Sequence, residues 1–278
     1  MLSPAARAVY RLELDVMATI LFTWELGQAL GHVTKLRPLA EALGRKGHRL
    51  FAALRDVARA KGLSPDGTIP CFQAPGRLNP PQDRIASPAT FAHILHNVGF
   101  NQREELQPCV DSWRALLDIL QPDLICCEHS PTALLASQAY PMKRVVVGTG
   151  FTCPPDMHPL PDWRPDEHHD PARLLRDEQR VLDVMNEFMG SWNQPPLARV
   201  TDLYQRTDLR VLATFAEFDH FGHRPEGEYW GIWSNRSGQP PQWPAGPGKK
   251  VFAYLKPFPG LSLLLEPVCE PLFYELGI

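Results

Sequence analysis

Short apolar runs, each followed by glycine, proline or polar residues and then by a segment of helical period, recur along this chain, and that alternation leaves few folds open. The first unit is the clearest. Residues 18–24, ATILFTW, form a β-prone run; Gly27 and Gly31 follow; Leu36, Leu39, Ala40 and Leu43 then recur at helical spacing. Gly47 ends the helix, and HRLFAAL reads as a second strand. A strand, a helix and a strand joined this closely form a right-handed crossover with both strands parallel in one sheet. Pro38 has no N–H and fits only a helix's first turn, which places the helix start nearer Thr34 than His32.

The same alternation continues. IPCFQAP is a weaker strand, and residues 89–120 carry helical periodicity that breaks near Gly99 and at Pro108. DLICCEH is a buried strand, PTALLASQAY opens a helix with proline in its first turn, and KRVVVGTG is a strand again. A long amphipathic helix over 171–189 and a strand at LRVLATF complete the series. The predicted fold is therefore α/β, a doubly wound Rossmann-like parallel sheet. The predicted organisation is an N-terminal extension over 1–16, the main domain over 17–233, a linker over 234–250 and the start of a second, incomplete domain over 251–278. The linker, SNRSGQPPQWPAGPGKK, is marked by its glycines and prolines. The last 28 residues, opening with the strand VFAYL, are too few for a core of their own.

Composition excludes several function classes. The net charge of -3 supplies no field to recruit nucleic acid or an anionic membrane, so no nucleic-acid partner is expected. The 29 prolines are scattered between regular segments and mark a loop-rich globular chain. Nothing reaches the ~20 apolar residues of a membrane span, and the N-terminus lacks a secretory apolar region. The six cysteines have no paired spacing, and Cys126 and Cys127 lie inside an apolar run, so reduced thiols and a cytoplasmic location are expected. Neither the G-x-S-x-G elbow of hydrolases nor a G-x-x-x-x-G-K-[ST] phosphate loop occurs. Gly27 and Gly31, with three residues between them, do not make a dinucleotide fingerprint.

Ligands of open parallel sheets bind beyond the carboxyl ends of the strands. Gly27, Gly31 and His32 occupy such a loop. Its glycines allow backbone to approach a ligand closely. A histidine at the start of a helix meets the positive end of the backbone dipole, which favours the neutral imidazole, a form able to accept a proton. Glu128, at the end of another strand, can orient that ring by accepting from its far nitrogen. The plainer alternative is a histidine hydrogen-bonded in its loop. His93 with His96, His168 with His169, and His220 with His223 lack a cysteine or carboxylate framework for a metal, so solvated or capping roles are expected and no metal. Asp219, Arg224, Tyr229 and Trp230, just after a strand, form either an aromatic brace or a wall of the substrate cleft.

These residues also resemble a known family. WELGQALGHVTKLRPLAEALGRKGHRL is similar to the amino-terminal signature of GT-B glycosyltransferases, the group that includes antibiotic, flavonoid and glucuronosyl transferases. PDLICCEHSPTALLASQAY with KRVVVGTGF resembles a later strand-helix-strand unit of the same domain, and ATFAEFDHFGHRPEGEYWGIW, the proline-rich linker and KKVFAYLKP resemble its crossing into the second domain. The resemblance implies that the amino-terminal domain binds an acceptor and a carboxy-terminal domain binds a nucleotide diphosphate sugar, a co-substrate, with no other cofactor. It places His32 on the family's catalytic base and Glu128 near its acidic partner, usually an aspartate. It also sets Gly27, Gly31, Gly150 and Phe151 against the substrate. Lys35 stands where the family carries a proline, with Pro38 further on. The family's donor motif of histidine, glycine and hydroxyl residues has no counterpart here, and about 150 further residues of ordinary domain size would be needed to carry it.

The implied activity is transfer of a sugar to a hydroxyl of a small, hydrophobic acceptor with inversion, and no transfer is expected from this length of chain alone. A non-catalytic acceptor-binding subunit working with a separate donor subunit, and a nucleotide-sugar epimerase of related architecture, are the alternative readings.

Overall fold

The computed structural model describes residues 17–28, 30–77, 79–225 and 227–233, together with 241–243, 245–246, 249–250, 255 and 259–263. The chain divides into two compact units, 1–235 and 236–278, and the fold that follows is that of the first. The expected extension over 1–16 and the strand VFAYL, apart from Leu255, lie outside the described residues.

Six strands carry the apolar runs: β1 (Thr19–Trp24), β2 (Arg49–Leu54), β3 (Cys71–Gln73), β4 (Leu124–Glu128), β5 (Lys143–Gly148) and β6 (Leu209–Leu212). They pair in parallel in the order β3-β2-β1-β4-β5-β6. This is the doubly wound arrangement, and its order reverses between β1 and β4, which is where such sheets open a crevice.

Side chains alternate across the strands and so divide the core between two faces. Ile20, Phe22, Trp24, Leu124, Cys126, Val145 and Val147 point to one face, where Val33, Leu36, Leu39, Ala40 and Leu43 cover them. Leu21, Ala53, Ile125, Cys127 and Val146 point to the other, against Leu106, Val110, Trp113, Leu117, Leu134, Met185 and Phe188. The first set of covering residues comes from α1 (Gly31–Thr34), α2 (Arg37–Arg45) and Leu36 between them; the second comes from α4 (Arg103–Leu120), α5 (Pro131–Ser137) and α6 (Pro171–Ser191), with α3 (Phe91–Leu95) and α7 (Asp202–Gln205) beside them.

Two helix expectations change. The first crossover is two helices instead of one beginning near Thr34: α1 already contains His32, and α2 restarts with Pro38 in its first turn. Proline needs no N–H partner there. Pro108 does not break α4, which runs through it. Leu106, Val110, Trp113 and Leu117 are all buried along one side of that helix, and their burial outweighs the ~3 kcal/mol that an interior proline costs. The break near Gly99 is present as a wide turn, His96–Phe100, in which Gly99 takes a φ of 112°. No helix among the described residues is long and apolar enough to cross a membrane.

Candidate active site

Strand parity puts the two predicted residues together. Glu128 shares its face with Leu124 and Cys126, the face covered by α1, and it pairs in register with Trp24 at the end of β1. The loop leaving Trp24 returns over this edge as α1, bringing His32 with it. His32 Nδ1 lies 2.8 Å from Glu128 Oε2, and Trp24 stacks on the imidazole at 5.5 Å between centroids and 14° between planes.

Glu128 is fully buried, and Lys35 Nζ donates to its other oxygen, Oε1, at 2.8 Å. Burial alone would raise the carboxyl pKa, but the Lys35 charge and the His32 hydrogen bond prevail, helped by the neighbouring rings, and hold it below its ordinary value. An ionised carboxylate only accepts, so His32 Nδ1 must carry the hydrogen it shares with Glu128. In the neutral ring, Nε2 is then the nitrogen with the free lone pair.

Gly27 keeps that nitrogen clear. Its φ is +84°, and a Cβ built on it would stand 2.2 Å from His32 Nε2. Gly31 has open space around it, so it serves the loop without touching the ring. Gly150 and Phe151 belong to the loop after β5. Gly150 packs against Asp219, whose Oδ1 would lie 2.1 Å from an added Cβ, and so shapes the loop from behind. Phe151 meets the His129 ring edge-on at 6.1 Å and continues into Trp163 and His220 at 5.2 and 5.3 Å. An aromatic wall thus runs outward from the residue next to Glu128.

Asp219, Arg224 and Tyr229 form a brace. Arg224 donates to the carbonyls of Cys153 and Gly150 at 2.8 and 3.0 Å and to Asp219 at 3.1 Å, and the Tyr229 hydroxyl donates to Asp219 at 2.7 Å. Trp230 packs beside the β1–α2 face of the core. This network pins the loop that carries Phe151.

Three residues here escaped the sequence reading. Lys35 had a legible sign, since it follows His32 by three residues and so falls on the same side of a helical turn. His129 adopts a φ of 45° and is buried, with neither ring nitrogen hydrogen-bonded; burial pushes its pKa down to about 4 and keeps it neutral. Glu25, one residue past Trp24, has the opposite parity to Glu128. It accepts from the backbone N–H groups of Thr132 and Ala133 at 3.1 and 2.6 Å, and burial raises its pKa to about 7.

His93 and His96 take structural roles. Solvated or capping roles were expected of them; both are buried instead of solvated, His93 accepting from the Ala89 N–H just ahead of α3 and meeting Asp177, and His96 meeting Asp83. Among the described residues, no group of three or more histidine, cysteine or acidic side chains is placed to hold a metal ion. Cys126, Cys127 and Cys153 are free and buried, and burial pushes the Cys127 and Cys153 thiols up to about 12.

No protein family's profile matches the chain, and no curated protein matches its sequence. Solved structures similar to it include glycosyltransferases. They include the Streptomyces sp. SF2575 glycosyltransferase SsfS6 (14% identity over 81% of this chain and 58% of that one, TM-score 0.49). The spinosyn forosaminyltransferase SpnP is similar at 14% identity over 82% of this chain and 53% of that one, TM-score 0.49. The calicheamicin glycosyltransferase CalG4 is similar at 16% identity over 71% of this chain and 48% of that one, TM-score 0.48. The chain spans about half the length of these solved structures.

Proposed function

We propose that this chain is the acceptor-binding half of a cytoplasmic GT-B glycosyltransferase, in which His32 is the base that activates an acceptor hydroxyl. The observation that carries the reading is the 2.8 Å contact between His32 Nδ1 and Glu128 Oε2 at the carboxyl edge of adjacent strands. Glu128 fixes the tautomer and stabilises the imidazolium that forms, while Nε2 takes the hydroxyl proton. The acceptor oxygen then bonds to the anomeric carbon of a nucleotide diphosphate sugar as the bond to the diphosphate breaks, with inversion. The nucleoside diphosphate leaves with the bonding pair, and the proton stays on His32.

The acceptor is a small hydroxylated molecule with an apolar or aromatic body. The Phe151–Trp163–His220 wall supports this, because such rings bury flat apolar surface while tolerating polar edges. The sugar donor is held by a second domain, and transfer needs that domain because orienting two substrates in line supplies about 7 to 11 kcal/mol of such a barrier.

Acceptor binding tests the reading directly. Titrating the chain with phenolic and macrolide alcohols, followed by tryptophan emission and histidine ring NMR, is expected to give saturable binding that shifts the His32 resonances. Binding that leaves His32 unmoved while perturbing distant residues would overturn it.

A further inference from the structure

Lys35 completes a three-membered chain of side chains, ammonium to carboxylate to imidazole. Glu128 lends one oxygen to each neighbour at 2.8 Å, and the carboxylate has no exposure while Lys35 and His32 retain 15% and 19%. The Lys35 ammonium and any imidazolium formed at His32 therefore compete for one buried negative charge. A carboxylate bonded only to imidazole stabilises imidazolium fully, whereas one already paired with an ammonium stabilises it less. The ammonium hydrogen bond also fixes the carboxylate's rotation, leaving Oε2 in line with Nδ1.

We propose that Lys35 is a positioning residue for His32: its ammonium orients Glu128 and shares the buried negative charge on which an imidazolium at His32 would draw. Its catalytic meaning rests on the glycosyltransferase reading, but the electrostatic effect does not. In a reaction that needs a neutral base, such a lysine extends activity toward acid, because the fraction of enzyme with a free Nε2 lone pair rises.

The other charged and titratable groups around His32 do not substitute for it. His129, from the end of β4, is neutral through the relevant range. Arg55, at the end of β2, donates to the Glu25 carbonyl at 2.9 Å. Glu25, from the end of β1, is directed to the N–H groups of Thr132 and Ala133 on the opposite face. Glu25 titrates in the same window as a histidine, but it is common to every variant compared, so its influence cancels in differences.

The test is a ring-NMR titration of the 278-residue chain labelled at its histidines, with His32→Gln to assign the resonance. Lys35→Gln and Lys35→Met remove the charge, the first keeping a hydrogen-bond donor to Glu128, and Lys35→Arg retains both. The expected result is a His32 midpoint raised by about one unit in the two neutral variants, and restored to within about 0.3 unit in Lys35→Arg. A midpoint unchanged or lowered in a folded neutral variant would overturn the proposal. The measurement needs no acceptor or donor sugar, so failure of the transfer reading leaves this result intact, and failure of this result leaves His32 available as a base.

Discussion

Glu128 and His32, separated by 96 positions in sequence, meet at 2.8 Å because β4 lies beside β1, strand parity turns Glu128 to the face that α1 covers, and the loop after β1 carries His32 back over that edge. The contact follows from topology more than from local sequence. Its carboxylate also carries the Lys35 ion pair, so its loss is felt by an ammonium and an imidazole at once.

Removal of that carboxylate is expected to destabilise the fold. Glu128→Ala leaves Lys35 and His32 facing a site without its charge, and breaking a buried pair from one side costs about 3 to 5 kcal/mol. Because both partners keep some solvent contact, a loss of about 2 to 3 kcal/mol is expected in urea unfolding. Glu128→Gln, which preserves shape and one acceptor, is expected to lose less.

Gly27 and Gly31 make a matched pair for a second measurement. Gly27→Ala would force a Cβ to within 2.2 Å of His32 Nε2 at a φ of +84°, so the ring must leave its stack on Trp24. A destabilisation of about 1 to 2 kcal/mol is expected, together with loss of the shielded His32 ring resonances. Gly31→Ala meets nothing within 4 Å and is expected to change stability by less than about 0.5 kcal/mol.

Glu25 gives stability a pH dependence of definite sign. Its pKa is raised from 4.5 to about 7 in the fold, so the native state binds the proton more tightly than the unfolded chain. Its contribution is fully present below pH 4.5 and declines as pH rises through 7, with a total loss of about 3 kcal/mol at roughly 1.4 kcal/mol per unit. Urea midpoints of wild type and Glu25→Gln compared from pH 4 to pH 8 are expected to converge on the acid side, with the variant gaining relative stability toward pH 8. Parallel curves would contradict the assignment.

The parts of this arrangement legible in the sequence are those set by period and punctuation. The apolar runs and their intervening helices define the sheet, Gly27 and His32 fall in a loop after β1, and the i, i+2 alternation of Leu124, Cys126 and Glu128 states which face Glu128 takes. The break at Gly99 was visible for the same reason. What was not legible depends on contacts between distant segments. Glu25 reads as one more loop carboxylate until α5 places two N–H groups against it. His129 reads as a strand-end histidine until Phe91, Phe151 and His32 surround it. Pro108 reads as a helix break because its local cost is visible in sequence, while the burial that offsets it is tertiary.

The proposed role of His32 as the base for sugar transfer is open to measurement. The direct measurement compares this chain extended by a glycosyltransferase donor domain, wild type against His32→Ala, with nucleotide sugars and a phenolic or macrolide acceptor that the chain binds. Loss of a general base costs about 10² to 10⁴ in rate, so the predicted result is a fall of at least about a hundredfold in kcat, with acceptor affinity kept within about threefold. Equal turnover by His32→Ala would contradict it.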